Sequence, residues 1–192
     1  MVQCVDALEA LSRSEAEILR RAEQLTAEHW GMPTVCGDWS VVDLLRHLVS
    51  GARVAVVGLS GAPKEQVIAA VESPVDGDLV QALRAALAEQ ADAMREPGAL
   101  AITVHYPTLD MSGERLLGFR VVDLTLHAWD LSRSLGFDES LDPELVEWAW
   151  DWLQPLARHI GAIGMFGEGP SGTLTEADPL DRRLIDLTGR RP

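Results

Sequence analysis

Leu117, Val121, Leu124, Ala128, Leu131 and Leu135 recur about one helical turn apart through the stretch "RVVDLTLHAWDL" and its flanks, and this stripe constrains the fold most. A stripe at that spacing makes an amphipathic helix, which is stable only when its apolar face is buried against another element. Ser112 is placed to cap the start, and Gly136 sits where a left-handed residue usually ends a helix, so the pattern predicts a helix over about 113–135. The same periodicity recurs elsewhere and strand alternation barely appears. The expected class is therefore all-α, with four or five long helices.

The first of these helices is expected from about Asp6 to Glu28, with Leu8, Leu11, Ile18, Ala22 and Leu25 facing inward. A loop, "WGMPTVCGDWS", leads to Ser40, whose hydroxyl can cap a second helix over about 41–58 while Asp43 closes a capping box. Gly61 with Pro63 and then "SPVDGD" break the chain before a third helix over about 79–95. Residues 99–107, "ALAITVHYP", are the one place for a short extended segment. Beyond Gly136, Asp142 and Pro143 form an N-cap and first-turn pair for a fifth helix, which Pro155 bends or ends. In that helix Leu145, Trp148, Ala149, Trp152 and Leu156 share one face and Trp150 points elsewhere. The tail is loop-rich, with a short final helix over "LDRRLIDLTG".

The chain has 192 residues, 47% of them hydrophobic, which suits one domain spanning residues 1–192. Thirty acidic side chains against 16 basic ones give a net charge of −14. That field repels a phosphate backbone and an anionic membrane surface, so neither nucleic acid nor membrane is an expected partner. No apolar run reaches the roughly 18 residues of a membrane span, and the N-terminus lacks an export signal. A cytoplasmic location follows as the expectation. Cys4 and Cys36 lack a metal-ligand spacing and are read as free, with Cys36 packing rather than reacting because nothing basic is near it in sequence.

The candidate chemistry lies on the central helix. Asp123 and His127 are four residues apart, so their side chains sit only about 40° apart around the axis and can share one small target. Arg120, Asp123, His127, Asp130 and Ser134 form one polar strip, which an ordinary solvated face would also show. Val122, Leu126 and Trp129 make a second apolar ridge beyond that strip, which would hem the polar groups in. His47, on the second helix, offers another imidazole. Two histidines and a carboxylate suit zinc, iron or nickel with a position left open. His29, His105 and His159 are read as surface or capping residues. "GEGPSG", at 167–172, is read as a loop, because no strand precedes it and Pro170 interrupts it.

"PTVCGDWSVVDLLRHLVSG", "RVVDLTLHAWDLSRSLG" and "DPLDRRLIDLTGRRP" resemble the DinB-like superfamily of metal-binding helical proteins. More closely, they are similar to the branch containing the N-terminal domain of mycothiol-dependent maleylpyruvate isomerase. The resemblance implies a four-helix bundle, here with an additional C-terminal helix and tail. It also implies a divalent metal ligated by His47, Asp123 and His127, with zinc expected first and nickel or iron as alternatives. Asp123 stands where the isomerase has glutamate, and the chain ends at Pro192 without the isomerase's second domain. The implied activity is a mycothiol-dependent transferase or isomerase in which the metal activates the thiol. A non-catalytic metal- or ligand-binding protein is the alternative. The expected partners are a small-molecule thiol, with mycothiol as cosubstrate, and an electrophilic substrate; a homodimer stays open. Asp130 is a candidate acceptor for a ligand histidine's ring N–H, or a salt-bridge partner of Arg133 or Arg120. Arg120 is a candidate to hold a substrate carboxylate.

Overall fold

A computed structural model of the chain describes residues 5–159, 167 and 169–192, without the side chains of residues 158 and 159. Cys4, Glu168 of the glycine-rich stretch and the His159 side chain therefore lie outside the described residues. Among those described there are seven α-helices and one small hairpin, so the protein is all-α. The chain divides into two compact units, Asp6–Ser140 and, with Met1–Val5, Leu141–Pro192.

The larger unit is a four-helix bundle with additions. Its helices are α1 (Ala7–Ala22), α2 (Val41–Leu59), α4 (Leu79–Arg95) and α5 (Gly113–Leu135). Helix α1 packs against α4 and α5, and α2 packs against the same two, which closes the ring. Leu11, Ile18, Leu44, Leu45, Leu48, Leu83, Leu87, Leu117 and Leu124 fill the centre with almost no exposed surface. Arg21 is also fully buried: its Nε donates to Ser132 Oγ at 2.6 Å and its Nη2 to the Ser140 carbonyl at 2.6 Å. Those bonds tie the segment after α5 to α1 and satisfy a charge that burial would otherwise penalise.

Local chemistry explains the boundaries. Ser40 and Asp43 form the reciprocal capping box at α2, Asp78 accepts from the Val80 and Gln81 amides at α4, and Ser112 accepts from the Arg115 amide at α5. Gly136 ends α5 at φ 69°, where a side chain would be strained. Three expectations need correction. Helix α1 stops at Ala22 rather than near Glu28, because Gln24 and Leu25 form tighter bonds to Arg21 and Ala22, and His29 Nδ1 takes the Thr26 amide. A helix α3, Lys64–Glu72, fills the region expected as a break and buries only Val67 and Ala70 against α2. The extended segment is confined to β1 (Thr103–His105), which pairs antiparallel with an unforeseen β2 (Asp110–Ser112). Val104 of that hairpin packs on Gly58, where a Cβ would overlap it.

In the C-terminal unit, Asp142 accepts from the Glu144 and Leu145 amides to start α6 (Pro143–Leu153), and a 3-10 turn follows at Gln154. Leu145, Val146, Ala149 and Leu153 are buried. Helix α7 (Leu180–Leu187) packs on α6, and its Arg183 guanidinium lies 4.5 Å over the Trp150 ring, so Trp150 turns to α7.

Candidate metal centre

From Leu116 to Ser132 every residue of α5 is buried except Asp123, which is partly exposed. The polar strip is thus not a solvated face: Arg120, His127 and Asp130 are 5%, 8% and 0% exposed. Core on both sides of the strip produces this, and buried polar groups of that kind need partners.

Helix α2 supplies His47 to the same point. The His47 Nε2 lies 3.3 Å from Asp123 Oδ1, and His127 Nε2 lies 3.4 Å from the same oxygen. The three ligand atoms lie within 4.8 Å of one another, close enough to face one cation. The remaining atoms of the trio are held in place. Asp130 Oδ2 is 2.8 Å from His127 Nδ1, which fixes the ring with Nε2 toward Asp123. Arg120 Nη1 donates to Asp123 Oδ2 at 2.6 Å, leaving Oδ1 to face both imidazoles. Trp39 stacks at a tilt beside His47, with ring centroids 4.8 Å apart.

Electrostatics follow from the packing. Burial alone would raise the Asp123 carboxyl, but His47, His127 and Arg120 outweigh it and hold it well below the usual carboxylate range. Burial alone would lower His127; Asp123 and Asp130 reverse that and lift it well above the usual imidazole value. A cation at this point would take the place of the proton that these carboxylates favour.

The structure therefore brings His47, Asp123 and His127 together and puts Asp130 behind His127. It places Arg120 differently from the substrate role considered for it: Nε donates to Gln90 Oε1 at 2.7 Å and Nη2 to the Leu48 carbonyl at 3.4 Å, so the guanidinium is committed to the protein. His29 lies against Phe137, and His105 pairs with Asp110 at 3.1 Å.

Four contributors escaped sequence reasoning. Cys36 has its Sγ 3.8 Å from His127 Nδ1, and with His127 and Asp130 it forms a second donor set around that ring. Its neighbours come from α5, ninety-one positions away, so local sequence gave no sign of them. Gly51 sits where a Cβ would collide with the Arg120 guanidinium; a glycine inside a helix, one turn after His47, was the readable signal. Gln90 is fully buried and also donates to Glu15 at 3.0 Å, with no signature in sequence. Tyr106 packs against Val54, Val67 and Ala70, and its hydroxyl feels the charges of Arg120 and Asp123. A surface hollow of about 520 Å³ opens beside His47, lined by Trp39, Arg46, Ser50, Val71 and Pro74 among others.

Comparison with known proteins gives relatives and a family. Two Mycobacterium tuberculosis proteins, described as uncharacterized proteins MT0763 and Rv0738, are each 28% identical over 183 residues, covering 93% of this chain and 91% of theirs. No solved structure matches the chain. The profile of the mycothiol maleylpyruvate isomerase N-terminal domain matches residues 11–132, a span that holds α1 to α5 nearly entire and all three residues of the trio. The chain therefore belongs to the family of the mycothiol maleylpyruvate isomerase N-terminal domain.

Proposed function

We propose that the protein binds one divalent metal ion through His47, Asp123 and His127 and uses it to transfer or isomerise substrates with a low-molecular-weight thiol, mycothiol first. The observation that carries this reading is the convergence of two imidazole nitrogens on one carboxylate oxygen at 3.3 and 3.4 Å, with His47 standing 76 positions before Asp123 on a different helix. Three nitrogen and oxygen donors match the protein-ligand count of catalytic zinc sites, and they also suit nickel or iron. When bound, the cation supplies the positive charge that keeps a thiol as its thiolate at neutral pH.

The chain's own residues do the positioning. Asp130 holds His127 in one tautomer and orientation, so no rotation of the ring is needed to present Nε2. Arg120 turns the Asp123 carboxylate so that Oδ1 faces both imidazoles. Trp39 stacks beside His47, and the two line a surface hollow through which a substrate would approach from solvent. Among the described residues no helix is long and apolar enough to cross a membrane, and the cytoplasmic thiol pool is where this chemistry would operate.

The test is metal-dependent consumption of mycothiol, or of N-acetylcysteine as a simpler thiol, with a panel of electrophiles. The reading predicts turnover that needs metal and disappears in His47→Ala. Retention of thiol without product would assign binding without catalysis. Thiol loss no faster than in buffer, with no thiol retained by the metal-loaded protein, would refute the reading.

A further inference from the structure

The one carboxylate in the trio is already shared with a cation. Arg120 is 5% exposed, and its guanidinium is fixed from three directions: Asp123 Oδ2 at 2.6 Å, Gln90 Oε1 at 2.7 Å and the Leu48 carbonyl at 3.4 Å. Gly51 leaves the space that this guanidinium fills. A side chain so held stays beside Asp123 whatever else binds, and an arginine does not lose its proton.

Charge then decides what the centre prefers. Asp123 and Asp130 bring two negative charges to the two imidazoles, and Arg120 brings one positive charge. Glu15, which accepts from Gln90 at 3.0 Å, adds a negative charge within reach of Arg120, so a divalent cation added to these groups leaves one more positive unit than it would without Arg120. In a partly buried site a unit charge a few ångströms away is felt far more strongly than in water.

We propose that Arg120 is the specificity-determining residue that makes the centre select a monoanionic ligand. It weakens the hold on the bare cation and strengthens the hold on an anion that joins it. The inference rests on the metal reading above and names the ligand class of that same site: a thiolate or other monoanion in preference to a neutral donor of similar size.

Cobalt titration of the whole protein, followed by its visible absorption, separates the two effects, with thiocyanate as the anionic probe and imidazole as the neutral one. In Arg120→Gln, cobalt alone should bind roughly tenfold more tightly and thiocyanate roughly tenfold more weakly, with imidazole little changed. Arg120→Lys should return both toward the natural values. Opposite shifts of that kind cannot come from general damage, which would weaken everything together. Should Arg120→Gln fail to melt cooperatively, Asp130→Asn, which keeps all three donors and an acceptor oxygen for His127, adds a positive unit instead and should loosen cobalt while raising the preference for thiocyanate over imidazole. Cobalt binding with an unmoved preference in these variants would overturn this inference and leave the metal reading standing. Absence of cobalt binding in the natural protein would overturn both.

Discussion

Asp130 is fully buried, and its Oδ2 lies 2.8 Å from His127 Nδ1, so it orients that ring. Asp130→Ala should leave a buried imidazole N–H without its acceptor, weakening metal binding roughly 10- to 100-fold and stability by about 1–3 kcal/mol. Chelator competition and urea unfolding measure the two. Gly51→Ala tests the opposite kind of contact, an overlap rather than a loss. The added methyl must displace the Arg120 guanidinium, so the variant should lose about 1–3 kcal/mol even though alanine is the better helix former. Equal or higher stability would show that Arg120 yields cheaply. At this scale the sequence was legible where helical register alone decides, as for Asp123 and His127. It was silent where distant elements meet. Cys36 and Gln90 reach the site only because α1 and α2 pack on both α4 and α5.

Elements were readable to the extent that their ends carry side-chain caps. Helices α2, α4 and α5 have Ser40, Asp78 and Ser112 at their starts, each accepting from the helix backbone, and their limits agree with the spacing to within about a residue. Helix α3 begins at Pro63 with no side-chain cap bond and buries two residues, so neither signal for a helix was strong. The end of α1 was set by turn bonds and His29 rather than by glycine, which periodicity does not report. The capping box at α2 matters to function as well, because Trp39 precedes it and His47 lies two turns into the helix. Ser40→Ala should cost about 1 kcal/mol by thermal unfolding, with metal affinity changed much less. A metal affinity that collapses with this single cap would mean that the start of α2, rather than the packing of α2 on α5, positions His47.

For the whole molecule, the proposed metal site would make proton and metal compete for one place, and that competition has a sign. In the metal-free protein Asp123 titrates below its unfolded value, so its stabilising contribution is present above about pH 4 and is lost as pH falls through the lowered value. His127 titrates above its unfolded value, so its contribution is full below about pH 6.5 and is lost as pH rises through the raised one. Metal-free stability should therefore decline from about pH 6 toward alkaline pH, while the rise in Tm on adding zinc should grow over the same interval as the proton is more easily displaced. A zinc effect on Tm that is the same at pH 6 and pH 8, to within about a degree, would contradict this competition. The strip on α5 gave two readings in sequence, solvated face or hemmed-in cluster. Burial from Leu116 to Ser132 decided between them, since only packing shows which side of a helix meets water.

Bound metal per chain, measured on protein purified without chelators and then exposed to zinc, nickel or iron, tests the central claim most directly. About one ion in the natural protein, lost in His47→Ala and in the double variant Asp123→Ala with His127→Ala, is the predicted result. No ion in the natural protein under any of these conditions, or the same content in all three proteins, would contradict the account.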